Sequence, residues 1–208
     1  MKTAPYNDQI LIERVRAGKG DVGSLDAFNE LVLRYQDSVY SLTYRIMGDA
    51  PSASDATQET FIIAYRRIST YHGGSFKSWL LRIATNHCYD ELRRLKRRPA
   101  VSVEDLPGGE TDDGAPLPDP SDTPEQVVDQ RELQRAIQEC IQSLNPDQRV
   151  VLVLSDIEGL EYATIAENIG ANLGTVKSRL SRARAGMRDC LQGVQELLPS
   201  AFRLRTDD

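Results

Sequence analysis

Histidine and cysteine are scarce: 208 residues include two of the first and three of the second. His72 and His87 have no cysteine or carboxylate at ligand spacing. His87 and Cys88 are neighbours on what reads as a helix and so point to different faces, which argues against a metal centre. The cysteines Cys88, Cys140 and Cys190 lie about fifty residues apart. That fits neither a disulfide framework nor a zinc knuckle, and the expectation is a reduced protein. A phosphate-binding Walker loop, a dinucleotide fingerprint and a nucleophile elbow are all missing, so the chain does not read as an enzyme and implies no cofactor. Aromatic residues make up 6 %, with Trp79 the single tryptophan, a profile that suits compact helical domains better than a β-sandwich. No apolar run exceeds the five residues of Val150–Leu154, far short of the ~20 needed to span a bilayer. Met1–Gln9 carries one lysine among mainly polar residues and does not read as a secretory signal. The expectation is a soluble cytoplasmic protein with no membrane insertion of its own.

Charge, by contrast, is plentiful and segregated. The net charge of −6 is an average over unlike segments. Residues 99–132 hold ten acids against Arg131 alone, a local −9, which leaves +3 on the rest of the chain. Residues 64–98 carry nine Lys/Arg and two acids, and residues 171–188 carry five basic residues and no acid. Such segregation points to separate basic surfaces and an acidic tether. The tether also holds six prolines from Pro99 to Pro124 and three glycines, and too little apolar surface to offset the entropy of ordering. The reading is two domains, 1–98 and 124–195, joined by a flexible linker over 99–123, with 196–208 unassigned.

Both flanks read as helical. Phe28, Leu31, Val32, Tyr35, Val39, Leu42 and Ile46 recur at steps of three and four, predicting one long helix ended by Gly48 and Pro51. A second helix is expected from about 52–55, carrying Phe61, Ile62, Tyr65 and Ile68. A Gly73-Gly74 loop follows at 69–75, and then a third helix over 76–97 burying Trp79, Leu80, Ile83, Ala84, Cys88 and Leu92. Thr123-Pro124-Glu125-Gln126 and Asn145-Pro146-Asp147-Gln148 both carry helix-start grammar. No alternation of period two persists anywhere, so the fold class is all-α.

The sharpest local pattern lies near the C-terminus. A short helix over 162–169 ends at Gly170, a turn follows at Ala171-Asn172, and a last helix runs to about Cys190. Val176, Leu180, Ala183, Met187 and Leu191 form its inward stripe. Lys177, Ser181, Arg184 and Arg188 share another face, flanked by Ser178 and Arg182. This is a helix-turn-helix arrangement, whose second helix the major groove admits; Arg and Lys can donate to guanine edges or phosphates, and Ser to either. In the first half Arg93, Arg94, Lys96, Arg97 and Arg98 cluster at a helix end, with Tyr71, His72, Phe76 and Trp79 around the loop before it. Basic residues beside aromatics suit single-stranded nucleic acid, although Phe76 and Trp79 in a core is the plainer alternative.

Two stretches together resemble a family. Asp55-Ala-Thr-Gln58-Glu59-Thr-Phe61, Phe76-Lys-Ser-Trp79 through Asn86, and Asp90-Glu-Leu-Arg93-Arg94 resemble the core-binding domain of bacterial sigma factors. Leu144-Asn-Pro through Gly174-Thr-Val-Lys177-Ser-Arg179 resembles their promoter-binding helix-turn-helix domain. The likeness spans about 25–95 and 130–190 with nothing resembling a middle domain, as in the extracytoplasmic-function (ECF) subfamily. The resemblance implies that Asp55, Gln58, Glu59 and Phe61 dock on core RNA polymerase, at the clamp helices of β′, with the β subunit a further partner. It implies that Tyr71, His72, Phe76, Asn86, Arg93, Arg94 and Arg97 serve the minus-ten element of promoter DNA. Lys177, Ser178, Arg179, Ser181, Arg182 and Arg184 would serve the minus-thirty-five element, with Arg179 and Arg184 on phosphate. It also implies an anti-sigma partner, and a linker drawn to the basic RNA channel. Two departures stand out: Glu161 sits where a capping Ser is common, and Asn172-Leu173 replaces small or Pro residues in the turn, where Asn172 itself offers a cap. The competing reading is an ordinary helix-turn-helix regulator, which would bind duplex DNA stably by itself.

Overall fold

Gly48 divides the longest helix of the first half from the one that follows it, and it does so in the left-handed region, with φ 97°. The computed structural model describes residues 7–18, 20–97 and 124–197. The proposed linker (99–123), Thr123 as a helix cap, Arg98 and residues 198–208 lie outside them.

Helix α1 (Asp8–Ala17) buries Leu11, Ile12 and Val15. Helix α2 (Val22–Met47) starts where the Asp21 carboxylate accepts the Ser24 amide and buries Leu31, Val39, Leu42 and Ile46 at helical spacing. Its last turn closes with the Gly48 N–H on Tyr44 O at 2.9 Å, a C′ position where glycine avoids a Cβ clash. Asp49 at once caps α3 (Ala50–Arg67), accepting Ser52 N at 2.8 Å. Pro51 therefore opens α3 and does not terminate α2, since a missing N–H costs nothing in a first turn. A 3₁₀ turn (Ile68–Thr70) and the glycine loop lead into α4 (Phe76–Arg97). Arg16 of α1 ties that turn down, donating to Ile68 O at 3.1 Å and to Tyr71 O.

The second half comprises α5 (Pro124–Ser143), α6 (Pro146–Leu152) continued by a π turn (Val153–Ile157), α7 (Tyr162–Ile169) and α8 (Leu173–Gln192), then a 3₁₀ turn (Gln195–Leu197). Asn145 caps α6 through Asp147 N at 3.1 Å. All five residues of Val150–Leu154 are buried, as expected for a helix apolar on every side. It runs between α8 and the end of α2.

The halves do not stand apart. One buried cluster runs from Leu11 to Ala183, and a polar clasp surrounds the end of α2. Gln138 Nε2 donates to Tyr44 O at 3.0 Å, Gln142 Nε2 to Arg45 O at 2.9 Å, and Arg149 Nη1 to Ile46 O at 2.7 Å. Arg45 O and Ile46 O are carbonyls that the helix C-terminus leaves without intrahelical donors, while Tyr44 O accepts the Gly48 N–H as well. Arg149 is 8 % exposed, and its other Nη donates to Gln142 O and Leu144 O. Burial holds its pKa below the ordinary value. Beyond the clasp, Lys77 pairs with Glu158 at 3.0 Å, and Asp147 accepts from both Arg179 (2.8 Å) and the Tyr89 hydroxyl.

The cysteine expectation is corrected: Cys140 of α5 and Cys190 of α8 are joined as a disulfide, and Cys88 is a buried free thiol. Spacing along the chain misled because α5 and α8 lie against each other, so positions 50 apart in sequence become neighbours.

Candidate nucleic-acid and partner interfaces

The turn before α8 is built as its sequence requires. Gly170 takes φ 63° after α7, and Glu161 at the start of α7 makes no capping hydrogen bond. Asn172 Oδ1 accepts both the Thr175 amide (2.8 Å) and its hydroxyl (3.0 Å), fixing the entry to α8. Val176, Leu180 and Ala183 face the core, with Met187 and Leu191 partly covered. Lys177, Ser178, Ser181 and Arg182 are exposed. No ion pair engages Lys177 or Arg182 among the described residues, whereas two cations nearby are taken. Arg179 is half-buried against Asp147, and Arg184 forks onto Asp156 at 2.9 and 2.7 Å. The Arg184 guanidinium holds the Asp156 carboxyl below its ordinary value. The Ser178 hydroxyl donates to Thr175 O at 3.0 Å. The helix thus presents two free cations and two hydroxyls, a combination able to meet base edges and phosphates in a major groove.

Around the loop before α4, the aromatic residues turn inward. Tyr71 is 4 % and Phe76 3 % exposed, so neither ring offers a stacking face, and for Phe76 the plainer of the two readings of the sequence, a place in the core, is the one observed. Tyr35, Tyr71, Phe76 and Trp79 form one cluster with neighbouring ring centroids 5.5–5.7 Å apart. The Tyr71 hydroxyl donates to Gly74 O at 2.7 Å, and Gly73 and Gly74 both have positive φ. Ring burial outweighed a solvent-facing role because each aromatic edge here finds another ring. What the loop exposes is His72, Gly73, Gly74 and Ser75, with Asn86 exposed on α4. Further along α4 the Arg93 guanidinium lies 4.9 Å from the Tyr89 ring centroid, and Arg94 forks onto Glu91 at 2.9 and 2.6 Å. Burial and the bond to Asp147 push the Tyr89 phenol up to about 12. The Arg97 side chain lies outside the described residues.

On α3, Asp55 and Gln58 are exposed and Glu59 half-buried. Gln58 is a ridge between two grooves. One, of about 480 Å³, lies against α4 and gathers Asp55, Glu59, His87, Glu91 and Arg94. The other, of about 630 Å³, lies between α2 and α3 and is floored by Phe28 and Phe61, with Val32, Ile62 and Tyr65 beside them. Phe61 is buried, so it shapes the groove from beneath. Ile62, one of the apolar residues expected on this helix, is 37 % exposed. Among the described residues, no helix is long and apolar enough to cross a membrane, and no group of three His, Cys, Asp or Glu is placed to hold a metal.

Residues 31–98 match the family described as Sigma-70 region 2, and residues 134–187 match Sigma-70, region 4. The chain is 42 % identical over 172 residues to the ECF RNA polymerase sigma factor SigE of Mycolicibacterium smegmatis; that stretch covers 83 % of this chain and 64 % of the relative's length. It is 37 % identical over 186 residues to the RNA polymerase sigma-H factor of Pseudomonas aeruginosa and 39 % over 189 residues to the ECF sigma-E factor of Escherichia coli K12, in each case covering 89 % of this chain and 94 % of the relative. Among solved structures it resembles the sigma factor RpoE of Bartonella quintana, crystallised with the anti-sigma factor NepR (22 % identity, TM-score 0.57, 79 % of this chain and 96 % of that one). It also resembles CnrH in complex with the cytosolic domain of CnrY (24 %, TM-score 0.58, 89 % and 97 %). At these identities the two structures speak to the fold alone.

Proposed function

The chain belongs to the extracytoplasmic-function sigma factors of bacterial RNA polymerase, and from that premise we propose that it binds the core enzyme, carries it to a particular set of promoters and begins strand opening there. The observation that carries this reading is the order of two matches, region 2 and then region 4, on one chain. The phosphodiester chemistry belongs to the polymerase; this protein contributes binding and positioning, in the cytoplasm where the polymerase works.

Asp55, Gln58 and Glu59 stand at the mouths of the two α3 grooves, where acids and an amide suit the basic, polar side chains of the β′ clamp helices, with the β subunit engaged elsewhere. Phe61 supports that face from within. At the minus-ten element, His72 and Asn86 supply donors and acceptors for an extruded base, whose lost stacking costs a few kcal/mol. Tyr71 and Phe76 act as positioning residues that hold the glycine loop from below, and Arg93, Arg94 and Arg97 hold backbone phosphates. At the minus-thirty-five element, Lys177, Ser178, Ser181 and Arg182 read the major groove. Arg179 and Arg184 turn to phosphate by exchanging Asp147 and Asp156 for DNA oxygens. An anti-sigma protein is a further partner, covering these same faces.

Run-off transcription on fragmented genomic DNA, with core polymerase in the presence and absence of the protein, tests this. New starts that share two spaced upstream elements are expected. No new starts, together with tight binding of the protein alone to particular duplexes, would replace the reading with that of an ordinary helix-turn-helix regulator.

A further inference from the structure

Cys140 and Cys190 have no part in the function proposed above, yet they are joined across the recognition half. Cys140, on α5, is 1 % exposed, and Cys190, in the last turn of α8, is half-buried. The backbone brings them together by close helix packing. One turn before Cys190, a Cβ on Gly186 would stand only 2.8 Å from Leu144 Cδ2. The two cysteine Cα atoms are 5.6 Å apart, within the span a disulfide bridges. Cys88 is different: burial pushes its thiol up to about 12, which keeps it protonated and unreactive. A bonded pair in a protein that works beside RNA polymerase sits in a thiol-reducing compartment, where such bonds respond to redox conditions more than they endure. That compartment follows from the sigma reading, on which this step rests.

We propose that Cys140 and Cys190 form a reversible thiol–disulfide switch that sets how long the recognition half stays folded without changing what it recognises. The loop closed by the bond contains α6, α7 and most of α8, the whole helix-turn-helix. Cross-linking it removes freedom from the unfolded chain and leaves the folded geometry alone. Lys177 and Arg182 lie about two to four helical turns from Cys190 and remain exposed with the bond in place.

The oxidant is a small-molecule disulfide of the glutathione class. The Cys190 thiolate, the more accessible of the two, attacks one of its sulfurs, forming a mixed disulfide and expelling one glutathione thiolate. The Cys140 thiolate then attacks the Cys190 sulfur, forming the protein bond and expelling the second glutathione. Two protons pass from the protein thiols to the two released thiols, and two electrons pass from protein to oxidant.

The full chain is equilibrated in buffers of graded reduced and oxidised glutathione, quenched with acid and alkylated after unfolding to count its thiols. A single transition from three free thiols to one is expected. The oxidised form should melt on the order of 10 °C higher and resist protease for longer, and Cys190→Ser should abolish both differences. Core polymerase loaded with either redox form should bind a duplex carrying the mapped upstream element within twofold of the other. Three thiols persisting in oxidised glutathione, equal melting of the two forms, a melting shift retained in Cys190→Ser, or a tenfold difference in duplex binding would each overturn the proposal. Thiol counting does not depend on DNA, so failure of core polymerase carrying either form to bind any promoter duplex would count against the sigma reading alone.

Discussion

Arg149→Met is the most informative single change, because it sets two opposed effects against each other at one buried position. The arginine donates to three carbonyls, Ile46 O at 2.7 Å, Gln142 O at 2.6 Å and Leu144 O at 3.3 Å. Hydrogen bonds from a charged donor contribute about 1.5–3 kcal/mol each, and a buried carbonyl left unpaired costs about 1–3 kcal/mol. Against this stands the desolvation of the guanidinium, several kcal/mol per ion, which is visible in its lowered pKa and in an Nε with no partner. Methionine keeps the apolar stem but supplies none of the three bonds. Balancing the terms leaves a net loss of about 3 kcal/mol, a large share of the ~5–15 kcal/mol typical of a folded domain. With a urea dependence of roughly 2 kcal/mol per molar, the unfolding midpoint should fall by about 1.5 M. Urea titration of the full chain by far-UV circular dichroism measures it, with exposed Arg188→Met as a control that should shift by less than about 0.5 kcal/mol. A midpoint for Arg149→Met equal to or above that of the parent would refute the reasoning, since desolvation would then outweigh all three bonds.

Four further outcomes are expected. Asn172→Ala removes the acceptor for the Thr175 amide and hydroxyl and should lower stability by about 1 kcal/mol, while Glu161→Ala, which loses no capping bond, should change it far less; thermal melts of the two compare them. Gln58→Ala with Glu59→Ala should weaken docking on core polymerase in a pull-down, whereas Arg93→Glu with Arg94→Glu should spare docking and reduce permanganate reactivity at the promoter bubble; equal loss of docking in both pairs would undo that division. Lys177→Ala and Arg182→Ala should each weaken binding of the protein–core polymerase complex to a promoter duplex about fivefold or more with helicity unchanged, read by filter binding at fixed salt. Finally, the folded-state pKa of Asp156 is depressed below 3.8 by Arg184. Its contribution is therefore complete above that pH and lost as pH falls through the lower folded value, so Asp156→Asn should cost stability at pH 7 and progressively less toward pH 2 in urea titrations at each pH.

Local rules carried much of the chain. The third helix of the first half was expected over 76–97 and the short helix before the turn over 162–169, and both stand at those bounds. Asn172 caps α8 and Glu161 fails to cap α7, as side-chain chemistry at a helix start dictates. What escaped depends on tertiary placement. Helix α1 is only 10 residues long, with too few turns for a periodic stripe to stand out. Tyr71 and Phe76 beside a basic helix have the composition of a stacking platform, but composition does not distinguish rings that face a base from rings that face one another. Arg149 follows Asn145-Pro-Asp-Gln in what reads as an ordinary first turn, and only the approach of α2 reveals its carbonyl partners. The cysteine pair was hidden for the same reason.

The clasp at the end of α2 carries an electrostatic consequence. A helix concentrates about half a negative charge at its C-terminal carbonyls, and here Gln138, Gln142 and Arg149 cover that pole, one of them with a full positive charge. Drawing the halves apart would uncover the pole and withdraw the cation in the same movement, so the potential at this corner of the first half would become more negative. Cations, or the basic surface of a partner, would then be attracted to a spot that in the closed molecule is already neutralised from within.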